Sequence, residues 1–190
     1  MKKLTDLLKT IPGISPKMSE KISVYLIQNK ETMINNLEQI IDETKENKIC
    51  TKCNNIFKNN CLNCEKNKSR IFVVENNIDS MALVNKAKIE EPTFVLEINL
   101  RKQFSDYELI NKRINQLIEM LNENSEEIII SLTPSVETEL LIRSLKELMA
   151  RNNIKDIKVS NLSAGIPLGG SVQYYDEQTI KEAIKNREKS

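Results

Sequence analysis

The sequence predicts an α/β protein in which a helical hairpin and a small metal-binding segment precede a mainly parallel sheet flanked by helices. Three observations indicate this class. Short apolar segments alternate with longer amphipathic ones in the second half of the chain, which is typical of parallel sheets with right-handed crossovers. All four cysteines fall in one polar segment, and a Pro-Gly turn separates two helical patterns near the start.

The first elements are two helices, because apolar residues follow helical spacing over residues 2–10 and 17–41. Pro12 and Gly13 between them form a turn signal. Ser15 is suited to cap the second helix, since its hydroxyl can accept a hydrogen bond from a free amide. A tight helical hairpin is therefore predicted.

The start of the second helix is a candidate anion site, because free amides and the helix dipole favour negative charge there. Lys17 lies at this position, and Lys21 follows one turn later on the same face. Together they resemble a helix-hairpin-helix, a module that binds the nucleic-acid backbone without reading its sequence. The alternative is an ordinary packing joint with solvated lysines.

The next segment is polar and holds two C-x-x-C pairs: Cys50, Cys53, Cys61 and Cys64. Two such turns facing each other provide the tetrahedral four-sulfur shell that Zn²⁺ prefers. Because all four positions are then filled, one structural zinc ion per chain is predicted. Two disulfides, an iron–sulfur cluster and a redox dithiol are alternatives.

The rest of the chain reads as alternating strands and helices. In order, they are a strand over 71–74, a helix over 80–89, a strand over 93–98, a helix over 105–121 capped by Ser105, a strand over 127–132, a helix over 136–151, a strand over 156–162, and a C-terminal strand and helix over 171–175 and 177–187. These patterns divide the chain into the predicted regions 1–48, 49–68, 69–164 and 165–190.

Polar residues follow the first and third strands of the predicted sheet, where parallel strands converge on a ligand-binding crevice. Glu75 follows the first strand. This resembles a Toprim domain, whose catalytic members use such a glutamate for acid–base chemistry and a later Asp-x-Asp for Mg²⁺. Here those two aspartate positions are Thr133 and Ser135, which are poor Mg²⁺ ligands. The alternative is a Mg²⁺-dependent nuclease or nicking enzyme using Glu75, Glu137 and Glu139.

The order of the parts resembles the RecR family of bacterial recombination mediator proteins, from about Leu4 to Arg187. The quoted hairpin, cysteine pairs and Toprim residues carry this resemblance, together with the closing stretch Gly165 to Gly170. The chain also departs from the family pattern. Seven residues separate the cysteine pairs where eight are more usual, and the segment from Glu97 to Tyr107 replaces a Gly- and Pro-rich loop.

The resemblance implies a non-enzymatic DNA-repair factor without a small-molecule substrate. Family members form dimers or ring-like tetramers around DNA and, with RecO and sometimes RecF, help RecA displace single-strand-binding protein. It implies that Lys17 and Lys21 contact DNA phosphate, that the four cysteines hold zinc, and that Glu75 and Glu137 dock RecO. It also implies a location at the bacterial nucleoid in the cytoplasm.

Composition narrows the chemistry. The 190 residues contain no histidine, which excludes Ser-His-Asp and Cys-His nucleophile pairs and a mixed Cys/His zinc site. The four glycines are not spaced for a phosphate-binding loop. No apolar run reaches the length of a membrane span, so a cytosolic protein is expected.

Charge is unevenly distributed, although 28 Lys and Arg nearly balance 27 Asp and Glu. The first 70 residues are basic and the remainder is acidic, which suggests a DNA-binding end and a protein-binding end. Four thiolates with one Zn²⁺ reduce the basic excess by two charges. A third hypothesis is a zinc-ribbon interaction module with no role on nucleic acid.

Overall fold

The computed structural model describes residues 2–103, 105–162 and 177–185. The chain falls into two compact units, 1–48 and 49–190. The predicted strand over 171–175 and the closing stretch Gly165 to Gly170 lie outside the described residues. Within the described ranges, no helix has both the length and the apolar character needed to cross a membrane.

The first unit consists of three helices: α1 (Lys2–Leu8), α2 (Pro16–Gln28) and α3 (Lys30–Glu46). The turn before α2 contains Gly13 at φ 87°, a conformation that glycine adopts at little cost. The hydroxyl of Ser15 accepts a hydrogen bond from the amide of Met18 at 3.2 Å and so caps α2. The structure therefore has the predicted hairpin.

One helix predicted over 17–41 is in fact two. The chain breaks at Asn29, where φ is −112° and ψ is 36°. Both the backbone and the side-chain amide of Asn29 donate to the carbonyl of Tyr25, at 3.0 and 2.9 Å. Asn29 therefore ends α2 and immediately precedes α3, a local hydrogen-bonding role for which asparagine is well suited.

The packing face of α2 is made of small residues. Ser19 and Ser23 are fully buried, and their hydroxyls donate to the carbonyls of Pro16 and Ser19, each at 2.7 Å. Because each hydroxyl finds its acceptor in the same helix, burying it leaves no donor unsatisfied.

The second unit contains the elements that follow the hairpin. They are β1 (Lys48–Ile49) at the boundary, β2 (Ile56–Phe57), α4 (Leu62–Glu65), β3 (Arg70–Val74), α5 (Asn77–Asn85), β4 (Thr93–Val95), α6 (Leu100–Gln103), α7 (Tyr107–Met120), β5 (Glu127–Ile130), α8 (Val136–Arg151), β6 (Lys158–Asn161) and α9 (Glu177–Lys185). The order of strands in the main sheet is β4-β3-β5-β6.

All neighbouring strands of this sheet are parallel, as predicted. Phe72 in the central strand β3 is in register with Thr93 of β4 and Ile129 of β5. The strands β3, β4 and β5 are mostly apolar and buried, which is typical of a parallel sheet covered by helices, whereas the edge strand β6 is polar and partly exposed. The structure thus confirms the predicted fold class, with the Toprim-like sheet as its main layer.

The core lies between the sheet and the apolar faces of α7 and α8. Ile114 and Leu117 of α7 and Leu145 of α8 are each 2% exposed. Burying an aliphatic side chain of this size contributes about 1.5–3 kcal/mol to folding. These helices therefore hold the sheet and, with it, the residues at the ends of its strands.

Several predicted bounds differ from the structure; the helix predicted over 80–89, for example, is α5 over Asn77–Asn85. The strand predicted over 93–98 ends at Val95, shortly before Glu97 adopts φ 52°. The helix predicted over 105–121 begins at Tyr107, and its cap is Asp106 rather than Ser105, because the Asp106 carboxylate accepts from the amide of Leu109 at 3.0 Å. The short helix α6 was not predicted.

Candidate functional site

The four cysteines form one cluster in the second unit. Their sulfur atoms all lie within 4.8 Å of one another. The sulfur separations are 3.7 Å for Cys50 and Cys64, 3.5 Å for Cys53 and Cys61, and 3.6 Å for Cys61 and Cys64. All four are free thiols. A disulfide needs about 2.05 Å between its sulfurs, so the two-disulfide alternative does not describe this structure.

The cluster fits one tetrahedral metal ion. A Zn–S bond of about 2.3 Å in a regular tetrahedron places neighbouring sulfurs about 3.8 Å apart, close to the observed separations. Cys50 and Cys53 are buried, whereas Cys61 and Cys64 are partly buried. The four cysteines are therefore positioned to bind one metal ion, and no ligand position remains for a substrate.

The cysteine thiols do not ionise alike. Burial opposes ionisation of Cys50, but the amides of Cys53 and Lys52 stabilise its thiolate and lower its pKa to about 7. Burial raises the pKa of Cys61 to about 11, and it also raises the pKa of Cys64. A metal ion binds thiolates, so binding at neutral pH must release protons.

The segment from Cys50 to Cys64, here called the metal loop, covers the outer edge of the sheet at β4. In β4, Thr93 and Val95 direct their backbone groups away from β3, and all four of these groups bond to the loop. The amide of Thr93 donates to the Asn63 side chain at 2.9 Å, and its carbonyl accepts from Asn55 and Asn63 at 2.9 and 2.8 Å.

Val95 is held in the same way. Its amide donates to the carbonyl of Cys53 at 3.0 Å, and its carbonyl accepts from the side chain of Asn54 at 2.8 Å. An exposed edge strand invites pairing with another chain. Asparagines of the metal loop close this edge, a role that the sequence analysis did not assign to them.

A buried polar network extends from the loop to α5. The side-chain oxygen of Asn55 accepts from the hydroxyls of Ser80 and Thr93, at 2.6 and 3.0 Å. The two hydroxyls are themselves 2.7 Å apart. Because each of these buried groups has a partner, the network links the loop, α5 and β4 without an unsatisfied atom at its centre.

The second candidate site is a crevice of about 400 Å³ at the carboxyl ends of β3 and β5. Glu75, Thr133 and Ser135 line it together, as expected for residues that follow neighbouring parallel strands. The structure thus brings the predicted Toprim positions into one place.

The two residues at the Toprim metal positions take part in the start of the helix that follows them, Ser135 through its hydroxyl and Thr133 through its backbone carbonyl. Ser135 caps α8 by accepting from the amide of Thr138 at 3.2 Å. The hydroxyl of Thr138 donates back to the carbonyl of Thr133 at 2.8 Å. Residues 133–138 therefore form a helix start, and the Toprim pair of carboxylate ligands is absent from it.

A cation lines the crevice as well. Arg101 comes from the unpredicted helix α6. The pKa of Glu137 is lowered, first by its own backbone N–H and the Ser135 hydroxyl, and further by the positive charge of Arg101. Sequence reasoning missed Arg101, because only the fold shows that the segment after β4 turns back over the crevice.

The three carboxylates of the nuclease alternative do not line one pocket. Glu75 lines the crevice. Glu139 lines a separate hollow along α8, with Arg143 and Lys146. An arrangement of carboxylates around a shared Mg²⁺ ion is therefore not seen among the described residues.

The predicted DNA-contacting lysines lie in the first unit. Lys17 and Lys21 are exposed in the first two turns of α2, just after the hairpin turn. They are one turn apart and so project on the same side of the helix. This is the placement that the hairpin pattern predicted for them.

The fold and its sites define a class: a Toprim-like α/β protein that carries a four-cysteine metal site. Comparison with known proteins identifies the family within this class. Residues 165–188 match the family described as "RecR, C-terminal". The chain is 31% identical to "Recombination protein RecR" of Bifidobacterium animalis subsp. lactis, over 98% of this chain and 94% of the relative. This chain belongs to the RecR family.

More distant relatives have the same name. "Recombination protein RecR" of Legionella pneumophila is 26% identical over 98% of this chain and 96% of its own length. The protein of that name from Francisella tularensis subsp. holarctica is 27% identical over 95% and 90%. The similarity thus extends across both units.

Proposed function

We propose that this chain is a DNA-binding mediator of recombinational repair that acts as an oligomeric clamp on DNA. The observation that carries the proposal is its relationship, over 98% of its length, to proteins named for recombination. We propose that it works with RecO, and in some settings RecF, to promote RecA loading at single-strand gaps. This role places it at the nucleoid in the cytoplasm.

The metal in this proposal is one structural zinc ion held by Cys50, Cys53, Cys61 and Cys64. An all-sulfur tetrahedral shell suits Zn²⁺, and closed four-ligand sites are structural rather than catalytic. Bound zinc would supply folding free energy to a loop with little apolar core of its own. The ion would have this structural role only. The cysteine segment would be held against β4, where Cys53 accepts a hydrogen bond from Val95.

DNA contact is proposed for Lys17 and Lys21. Both are exposed near the start of α2, and their ammonium groups can neutralise phosphates without reading bases. The surface around Glu75 and Glu137 is the proposed RecO-docking site. Arg101 lies beside them and reduces the acidic area of that surface, because its positive charge neutralises part of the negative charge.

We further propose that the protein is not an enzyme. The crevice has hydroxyls where a Toprim enzyme has two carboxylates, and Arg101 lines it as well. A guanidinium repels Mg²⁺, and neutral hydroxyls bind it weakly.

The proposed regions of the chain are the hairpin module 1–48, the zinc finger 49–68, the Toprim domain 69–164 and the closing segment 165–190.

The test is salt-dependent DNA binding by the zinc-loaded protein. We expect Lys17→Glu/Lys21→Glu to weaken binding to single-stranded DNA by tenfold or more at moderate salt. The slope of log affinity against log salt should fall by about 1.4, or about 0.7 for each lost phosphate contact. Fluorescence anisotropy at several salt concentrations measures both quantities.

The matched control is Lys30→Glu/Lys45→Glu, which makes the same change of charge on α3. It should weaken binding much less, because it leaves the hairpin intact. Equal losses for the two double variants would contradict the hairpin assignment.

The non-enzymatic role has its own test. The wild-type protein should leave plasmid DNA uncut in the presence of Mg²⁺. Cleavage that is abolished by Glu75→Gln would contradict this role.

A further inference from the structure

Helix α7 holds the first half of the metal loop through two side chains one turn apart. The guanidinium of Arg113 donates from Nη1 to the side-chain oxygen of Asn54 at 3.0 Å and to that of Gln116 at 2.9 Å. Gln116 in turn donates to the carbonyl of Thr51 at 3.2 Å. The contacts therefore reach both the residue after Cys50 and the residue after Cys53.

Asn54 is the central residue of this contact. It is 4% exposed and has φ 58°, a left-handed conformation that asparagine adopts more readily than most other non-glycine residues. Its amide donates to the carbonyl of Cys50 at 2.9 Å, which closes the turn between the first two ligands. Its side-chain amide bonds to Val95, so the remaining side-chain oxygen is the group that Arg113 holds.

The charge of Arg113 also suits this position. Four thiolates and a divalent ion have a net charge of −2, and the guanidinium lies against a residue adjacent to a ligand. Arg113 is partly buried, so its attraction to that charge is screened less than it would be in open solvent. The Arg113 side chain thus contributes a fixed hydrogen bond to the loop and places a positive charge on the residue next to a ligand.

We propose that Arg113 and Gln116 are positioning residues of the metal site. They hold the turn from Cys50 to Asn54 in the conformation in which its two sulfurs face the second cysteine pair, and they thereby slow release of the ion. The proposal rests on the zinc site of the proposed function and adds to it a support from α7, outside the cysteine loop.

The experiment measures zinc release from the full chain into an excess of a colorimetric chelator. We expect Arg113→Ala to release zinc at least tenfold faster than wild type, because outer-shell groups typically change metal affinity by 10–100-fold. Lys112→Ala is the matched control: it removes an exposed cation from the neighbouring position of α7 and should not change the rate. The Co²⁺-substituted protein provides a second readout, since a distorted site shifts its visible spectrum.

A second variant tests the route through Asn54. Asn54→Gly keeps the left-handed backbone while removing both the acceptor of Arg113 and the side-chain hydrogen bond to Val95. It should release zinc at least as fast as Arg113→Ala, and the double variant should be no more than about twofold faster than Asn54→Gly alone. Independent, multiplying effects would contradict the proposal, as would an Arg113→Ala rate within twofold of wild type. Wild-type protein that binds no zinc would instead overturn the zinc site itself.

Discussion

At the amino end of β5, one carboxylate joins two strands. Glu127 accepts a hydrogen bond from the hydroxyl of Ser160 at 2.6 Å and pairs with Lys158 at 3.5 Å. The Ser160 hydroxyl is the main reason that the pKa of Glu127 lies below its ordinary value, and Lys158 lowers it further. A carboxylate with a depressed pKa stabilises the fold while it is ionised.

Glu127→Gln should therefore lower the free energy of unfolding by up to about 1 kcal/mol at neutral pH. The stabilisation is fully present above the ordinary glutamate pKa of 4.5, and it is lost as the pH falls through the lower pKa of the folded state. Urea denaturation from pH 7 to pH 3 should show the wild-type and variant curves converging. Glu126→Gln, at an exposed neighbour, should follow wild type throughout; a constant gap at every pH would contradict the role of ionisation.

The role of a single residue can be predicted from the sequence in some cases and not in others. Thr133 and Ser135 were predicted to replace metal ligands, because the residue type alone excludes strong Mg²⁺ binding. Arg101 and Arg113 could not be predicted as site residues. Each acts through a contact formed between segments distant in sequence, and neither belongs to a local pattern.

At the level of elements, the metal loop and β4 are joined by hydrogen bonds along the whole outer edge of β4. The loop satisfies every outward backbone group of Thr93 and Val95. If the proposed zinc ion supplies much of the free energy that orders the loop, we expect its loss to release the loop and to expose the edge of the sheet.

Removing zinc with a chelator should therefore speed hydrogen exchange at selected amides. Those of Thr93 and Val95 face the loop and should lose protection. The amide of Leu96 donates to Val74 of β3 at 2.9 Å and should stay protected. NMR-detected exchange with and without zinc measures all three, and uniform loss of protection would indicate unfolding of the whole unit instead.

The elements themselves were largely predictable. Residues 136–151 form α8 with the predicted bounds, because a capping serine and a long amphipathic pattern define both ends. The break at Asn29 and the short helix α6 were missed. The apolar spacing around Asn29 is that of one continuous helix, and the segment of α6 has no clear helical pattern of its own. In both places, tertiary contacts decide the local structure.

At the scale of the whole molecule, α3 presents an apolar stripe. Ile34, Leu37 and Ile41 recur at helical spacing and are 44, 42 and 50% exposed. No residue of α3 is buried in the described chain. Exposed apolar surface of this kind is typical of association, and a second copy of the chain is the partner that the proposed oligomer requires.

Leu37→Glu should therefore reduce the number of subunits seen by native mass spectrometry. A charge on the stripe would have to be buried in the interface, which costs several kcal/mol unless it is paired. Asn36→Glu adds the same charge beside the stripe and should leave the subunit count unchanged. An identical count for Leu37→Glu and wild type would contradict the use of α3 in assembly.

The covered edge at β4 also limits where another strand can pair with the sheet. Pairing with another strand requires free backbone groups, and on the β4 side these are already bonded to asparagines and to Cys53. Within the described residues, β6 has a neighbouring strand on one side only. Among the described strands, β6 is therefore the one beside which a strand from another segment or another subunit can pair, and such pairing widens the sheet while the metal loop stays in place.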